Sequence, residues 1–225
     1  MPTRHSATIA NTRFYGILDT GYVGSDNWVS KYRALAQGGA GIVQIRAKNE
    51  TSRQRRQLLD LVIECRSQVS GPHPILVLND DIELCMEYPE LGLHIGQDDT
   101  PPLEARERLG PNRVLGLSTH STAQASAAME LPSGTLDYFA VGPVFATQTK
   151  PDYTPVGLEL VEWVSKRTPE LPFFCIGGIN RENAARVTAA GATRVVTVSD
   201  VLLAPDTSSA VKDTIAALTS PRSSD

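Results

Sequence analysis

The chain has no apolar run approaching the roughly 20 residues that a membrane-spanning helix needs. It also has no Lys/Arg-rich block, and 21 basic against 25 acidic residues leave a formal charge of -4. Neither nucleic acid nor an anionic membrane is the partner that such a balance serves. The opening stretch MPTRHSATIANTR is polar and lacks an apolar h-region, so no signal peptide and a cytoplasmic location are expected. Cysteine is scarce: Cys65, Cys85 and Cys175 are odd in number and widely spaced. That spacing suits reduced, buried thiols better than a disulfide framework or a metal site. No G-x-S-x-G elbow occurs, and Ser118 and His120 are too close in sequence for spacing alone to suggest a hydrolase triad.

What is present is alternation. The 225 residues, 41% hydrophobic and 20% charged, suffice for one α/β barrel or two small domains. Apolar β-type runs occur at 14–18, 41–45, 75–78, 91–95, 114–117, 138–141, 173–176 and 194–198. Helical patterns lie at 27–37, 52–67, 82–87, 103–109, 123–130, 158–166, 181–189 and 210–218. Within them apolar residues recur three and four apart, as in Leu58, Leu61, Val62 and Cys65, which is the helical period. Glycines at 38–39, 110 and 191 follow helices as stops. The strands are continuously apolar, as in a parallel sheet covered by helices.

These eight β-α units, with no linker between them, predict a single-domain α/β fold, a (β/α)8 TIM barrel over residues 14–218. A polar extension would precede it at 1–13, and a frayed tail would follow at 219–225. A doubly wound open sheet is the alternative, because periodicity alone does not close a barrel. In both architectures functional groups gather just after the carboxyl ends of the strands.

Those ends carry related chemistry. After the second strand come Gln44, Arg46 and Lys48 on one side, with Ile45 and Ala47 on the other. Two cations at a barrel mouth suit an anion such as a pyrophosphate, or else a basic surface turn. After the third and fourth strands come Asn79-Asp80-Asp81 and Gln97-Asp98-Asp99. They offer a hard-cation site for Mg²⁺, although one aspartate also suits the cap of the helix at 82–87. His94 is expected to face the interior. Ser118 follows the fifth strand as a possible hydroxyl donor, and Ser121 reads as a helix N-cap. The sixth strand ends in Gly142-Pro143 and a loop bearing Thr147, Gln148, Thr149 and Lys150; this is either a polar surface loop or a set of donors for an anion. The seventh and eighth end in Gly177-Gly178 and in Val198-Ser199, which suit a phosphate pocket or, for the glycines, a tight βα turn.

The segments QIRAK, VLNDD, GLHIGQDD, GLSTHS, VGPVFATQTK, GLEL, CIGGI and VTVSD, in this order, resemble the thiamine phosphate synthase family over about residues 14–206. The resemblance implies a (β/α)8 transferase of thiamine biosynthesis that acts on small phosphorylated substrates. It would condense 4-amino-2-methyl-5-hydroxymethylpyrimidine diphosphate with 4-methyl-5-(2-phosphoethyl)thiazole, releasing pyrophosphate through a dissociative, Mg²⁺-assisted substitution. Gln44, Ile45, Arg46, Ala47 and Lys48, with Asn79, Ser118 and Lys150, would then bind the pyrimidine diphosphate. Thr147, Gln148, Thr149, Gly178, Val198 and Ser199 would bind the thiazole phosphate, and Asp80 and Asp99 would hold one Mg²⁺ per active site. Arg46, Lys48 and Lys150 would be the catalytic cations, and no nucleophile is implied. Before the fourth strand, CMEYPELGLH departs from the small-residue A-D-G often found in the family. A thiazole tautomerase-like barrel and a non-catalytic binder of thiamine precursors are the alternatives; the tautomerase-like relatives have no need of the diphosphate-holding set. The sequence specifies no oligomeric state.

Overall fold

Parallel pairing runs unbroken through eight strands, and the last strand pairs back onto the first. The computed structural model describes residues 5–68, 73–147 and 154–219. In chain order the elements are α1 (Ser6–Asn11), β1 (Phe14–Asp19), a 3-10 turn (Ser25–Asn27), α2 (Trp28–Gly38), β2 (Ile42–Arg46), α3 (Ser52–Gln68), β3 (Ile75–Asn79), α4 (Ile82–Glu87), β4 (Gly92–Ile95) and α5 (Pro102–Leu109). There follow β5 (Leu115–Thr119), α6 (Thr122–Glu130), β6 (Tyr138–Val141), α7 (Gly157–Ser165), β7 (Phe173–Cys175), α8 (Ala184–Ala189), β8 (Val195–Thr197), α9 (Ser199–Leu202) and α10 (Thr207–Thr219). The register Phe14↔Val195, Tyr15↔Val196, Gly16↔Thr197 closes the barrel, so the open-sheet alternative falls away.

Alternation along each strand divides the interior into two cores. Tyr15, Ile17, Ile42, Ile75, Val77, Val114, Tyr138, Phe174 and Val196 fill the barrel. Their strand neighbours, among them Phe14, Leu18, Val43, Ile45, Leu76, Leu115 and Phe139, pack with the helices in an outer layer. Both faces of each strand are therefore buried, which is why the strands read as continuous apolar runs. Cys65, Cys85 and Cys175 are free and buried, and burial pushes the Cys85 thiol up to about 11, so it stays protonated. Among the described residues no helix is long and apolar enough to cross a membrane.

Three local features differ from the sequence expectation. Part of the N-terminal extension forms α1, and its Ile9 is fully buried with Ile42, Ile75 and Val114 at the starting ends of the strands. Ile9 extends the interior core at that end of the barrel. The helix expected at 181–189 begins only at Ala184. Ahead of it the Asn180 side chain accepts from the backbone N–H of Glu182 and Asn183, holding residues 181–183 in a turn. A four-residue helix, α9, also starts directly after β8.

Candidate active site

The carboxyl ends of the strands surround a cavity of about 480 Å³, within the range of small-ligand sites. Gln44, Arg46, Asn79, Ser118, Thr147, Gly178, Val198 and Ser199 all line it, so residues chosen from six different strand ends meet in one place. Beside it lies a recess of about 360 Å³ lined by Ile45, Ala47, Lys48, Asn79, Asp80 and Asp81. The Ile45 side chain is buried in the outer core and Ala47 packs against that core, so neither presents its side chain to the larger cavity. Lys48 lies beyond the end of β2, where the strand's alternation no longer sets direction, and turns toward Asp80. Gln148, Thr149 and Lys150 lie outside the described residues.

The β2–β4 side is built from paired charges. The Arg46 guanidinium donates to the Asp19 carboxylate at 2.6 Å, and the Asp19 side chain is only 3% exposed. Asp19 also accepts from the Gly21 backbone N–H. The Lys48 ammonium contacts Asp80 at 3.0 Å. Asp80 sits in the left-handed region, at φ 63, a conformation that aspartate tolerates better than most residues. Burial works to raise the Asp80 carboxyl, but the hydrogen bond and charge of Lys48, with hydrogen bonds to Asp99 and Asn79, outweigh it and lower it. Asp99 moves the other way: burial and the charge of Asp80 raise it, against the 2.7 Å hydrogen bond from the Gly96 N–H. Asp80 and Asp99 thus shift in opposite directions, as neighbouring like charges do when only one has a cation beside it. The neighbouring Asp81 is accounted for as the N-cap of α4, accepting from the Leu84 N–H.

Oxygen-only donors of this kind fit a hard cation such as Mg²⁺, which takes one or two protein carboxylates and fills its remaining positions with substrate oxygens and water. Among the described residues no cluster of three or more His, Cys, Asp or Glu is placed to hold a metal. Asp80 and Asp99, the pair expected from the sequence, are the two carboxylates that influence one another at this wall.

The β6–β8 side is built from backbone. Gly177 and Gly178 have φ of 99 and 62. A Cβ on Gly178 would lie 2.5 Å from the Ala146 carbonyl oxygen, so only glycine lets the loop leading to Thr147 close over it. The same loop is tied down by Val144 N–H to Ile176 O and Phe145 N–H to Gly177 O, at 2.8 and 2.9 Å. α9 begins at Ser199, and the first N–H groups of a helix have no partner within it. This short extra helix after the last strand, beside the glycine loop, is the usual phosphate-holding arrangement of barrel enzymes.

Under the cavity floor runs a buried polar chain. The Gln44 amide nitrogen donates to the Tyr15 hydroxyl at 2.7 Å, and the Tyr15 and Tyr138 hydroxyls meet at 3.0 Å. His94 joins Nδ1 to the Tyr138 hydroxyl at 3.0 Å and Nε2 to the Ser118 hydroxyl at 2.9 Å. Burial raises both tyrosines well above their ordinary value, so they stay neutral. Gly116 leaves the space that the Tyr138 ring occupies, since a Cβ there would meet that ring at 2.2 Å.

Sequence reading missed Asp19, Tyr15, Tyr138 and α9. Asp19 follows an apolar run and resembles a turn residue, while the tyrosines look like ordinary strand aromatics. His94 faces the interior as expected.

Known proteins give a consistent background to this geometry. A family model described as thiamine monophosphate synthase matches residues 14–201. The chain is 36% identical to the thiamine-phosphate synthase of Acidothermus cellulolyticus over 213 residues, covering 94% of this chain and 97% of that protein. It is 35% identical to the thiamine-phosphate synthase of Chloroflexus aurantiacus, covering 92% of each. Among solved structures, the thiamine phosphate pyrophosphorylase from Pyrococcus furiosus is similar with a TM-score of 0.78 at 25% identity, over 92% of this chain and 95% of that one.

Proposed function

Since the chain belongs to the thiamine monophosphate synthase family, we propose that it is a transferase joining 4-amino-2-methyl-5-hydroxymethylpyrimidine diphosphate to 4-methyl-5-(2-phosphoethyl)thiazole, with release of pyrophosphate. The observation that carries this reading is the asymmetry of one mouth. A charged wall that can take a diphosphate faces a backbone-lined wall that can take a phosphate, with the barrel's polar floor between them.

In this reading the diphosphate lies along Arg46, Lys48 and Asn79, and the pyrimidine ring reaches inward to Gln44 and Ser118. Thiazole phosphate lies against Gly178, Val198, Ser199 and Thr147; Gln148 and Thr149, assigned to it by the family resemblance, and Lys150, assigned to the leaving group, lie outside the described residues. The bond to the diphosphate breaks first, leaving a pyrimidine-methyl cation stabilised by its own amino group, which the thiazole nitrogen then captures. No nucleophile of the protein takes part. Its contribution is to align the acceptor and to favour the charge that gathers on the departing oxygens.

The wall at β2–β4 is already neutralised in part, because Arg46 is paired with Asp19 and Lys48 with Asp80. Asp80 and Asp99 would hold Mg²⁺, which when bound supplies the extra positive charge that the leaving pyrophosphate requires. That deficit is the physical case for the metal.

The deciding experiment incubates purified protein with both substrates and Mg²⁺ and follows pyrophosphate. Stoichiometric release with formation of thiamine phosphate is expected. No release at any practical enzyme concentration would remove the synthase reading.

A further inference from the structure

One guanidinium joins two loops of the charged wall from outside the mouth. Arg55 ends the first turn of α3, a turn that holds no acid, so its charge faces the unfavourable end of the helix dipole. Its side chain reaches back to three acceptors. Nε donates to the Glu50 carbonyl at 3.1 Å, Nη2 to the Lys48 carbonyl at 3.3 Å and Nη1 to the Asp81 carboxylate at 3.4 Å. The two carbonyls flank Asn49 in the loop after β2. Asp81 belongs to the turn after β3, where its other oxygen caps α4 by accepting from the Leu84 N–H. Arg55 lines the smaller recess and not the cavity.

The two loops that it joins carry the Lys48 ammonium and the Asp80 carboxylate, which meet at 3.0 Å. β2 ends at Arg46, so the sheet does not fix the point from which the Lys48 stem departs. That side chain is half exposed, and an ion pair so placed adds little to hold two segments together. A guanidinium differs in kind. Its planar fork carries five donors in fixed directions and spans acceptors on both loops at once. A lysine in its place would keep the charge and lose the fork, so geometry and charge can be separated by substitution.

We propose that Arg55 is a positioning residue for the diphosphate side of the mouth: it locks the Lys48 loop against the Asp80–Asp81 turn and so sets the place at which the ammonium meets an anion. The inference rests on the reading above, in which this wall takes the diphosphate. It gives Asp81 a second duty, since one oxygen caps α4 and the other receives Arg55. Without the fork, the Lys48 loop gains freedom that anion binding must then remove, and this ordering cost falls on the diphosphate alone. The glycine wall at β6–β8 takes no part in the Arg55 contacts and keeps its affinity.

Two measurements on Arg55→Lys and Arg55→Gln test this. The Arg55 side chain is about a third exposed, so both variants are expected to fold. Order parameters from 15N relaxation of the ligand-free protein read the loop directly. For the amides of Lys48, Asn49 and Glu50 they are expected at about 0.85 in the parent and toward about 0.6 in both variants, with the strands unchanged. Calorimetry with inorganic pyrophosphate and Mg²⁺ is expected to show affinity about tenfold weaker in both variants, with affinity for thiazole phosphate unaltered. Parent-like pyrophosphate binding by Arg55→Lys, with loss in Arg55→Gln alone, would show charge at work without geometry and overturns the proposal. So does a loop as rigid in both variants as in the parent, a loosened loop with undiminished pyrophosphate affinity, or an equal loss for both ligands. A parent that binds no pyrophosphate, with the loop loosened in both variants, supports the lock and retires the diphosphate reading instead.

Discussion

The two walls of the barrel mouth are built in opposite ways for the anions that the proposed reaction would bring. At β2–β4 the work falls to long charged side chains, each already engaged: Arg46 with Asp19, Lys48 with Asp80, and Asp80 with Asp99. At β6–β8 it falls to the main chain, where Gly177, Gly178 and the start of α9 present backbone in fixed directions. Side chains can trade partners when a ligand arrives and departs, and their pairing changes with charge. Backbone donors cannot move far or lose a proton. In the proposed reaction, the wall that would release a highly charged leaving group is thus the adjustable one, and the wall that would seat the acceptor is rigid.

Removing one carboxylate from the adjustable wall should break the contrast most severely. Asp80→Asn and Asp99→Asn are each expected to slow turnover on the order of a hundredfold or more, about 3 kcal/mol of barrier, with binding of thiazole phosphate preserved. Rates of pyrophosphate release near wild type would overturn the proposed metal site. Next in size, Gly178→Ala attacks the rigid wall. Its Cβ has no room beside Ala146 O, so the KM for thiazole phosphate should rise roughly tenfold or more. The left-handed backbone should add about 1–2 kcal/mol of lost stability. An equal rise in both substrates' KM would show that the two walls are not independent.

Asp19→Asn probes the pairing itself. Arg46 loses a largely buried partner, and a stability loss of about 2 kcal/mol is expected, below the cost for a fully buried pair because the Arg46 side chain is 17% exposed. Added pyrophosphate should then raise the melting temperature of this variant more than that of the parent, since the anion replaces the missing charge. A smaller rise would mean that Arg46 does not face the diphosphate. The mildest test is salt. Between low and physiological ionic strength, affinity for the diphosphate should weaken a few-fold more than affinity for the monophosphate, because the exposed Lys48, half accessible to solvent, is readily screened.

Much of this layout could be read before any coordinates, and the reason is local. Strands buried on both faces are written as unbroken apolar runs, and the polar residue that follows each run marks the mouth. Gln44, Arg46, Asn79 and Ser118 were found in that way and line one cavity. Features that depend on distant partners were not legible. Tyr15 and Tyr138 are 123 residues apart, and nothing in either strand records that their hydroxyls meet. α9 has four residues, too few to show a helical period. Asp19 closes an apolar strand, and its meaning comes only from the Arg46 opposite it in the β1–β2 register. Ile45 and Ala47 share a segment with the polar residues around them, yet their side chains belong to the outer core.

Ile9 ties the N-terminal segment to the barrel. Its fully buried side chain packs with Ile42, Ile75 and Val114, so α1 shares the core that the strands enclose. That pole needs no plug, because Tyr15, Tyr138 and Phe174 already fill the interior. Solvent and solute therefore meet the barrel's inside only at the carboxyl ends of its strands.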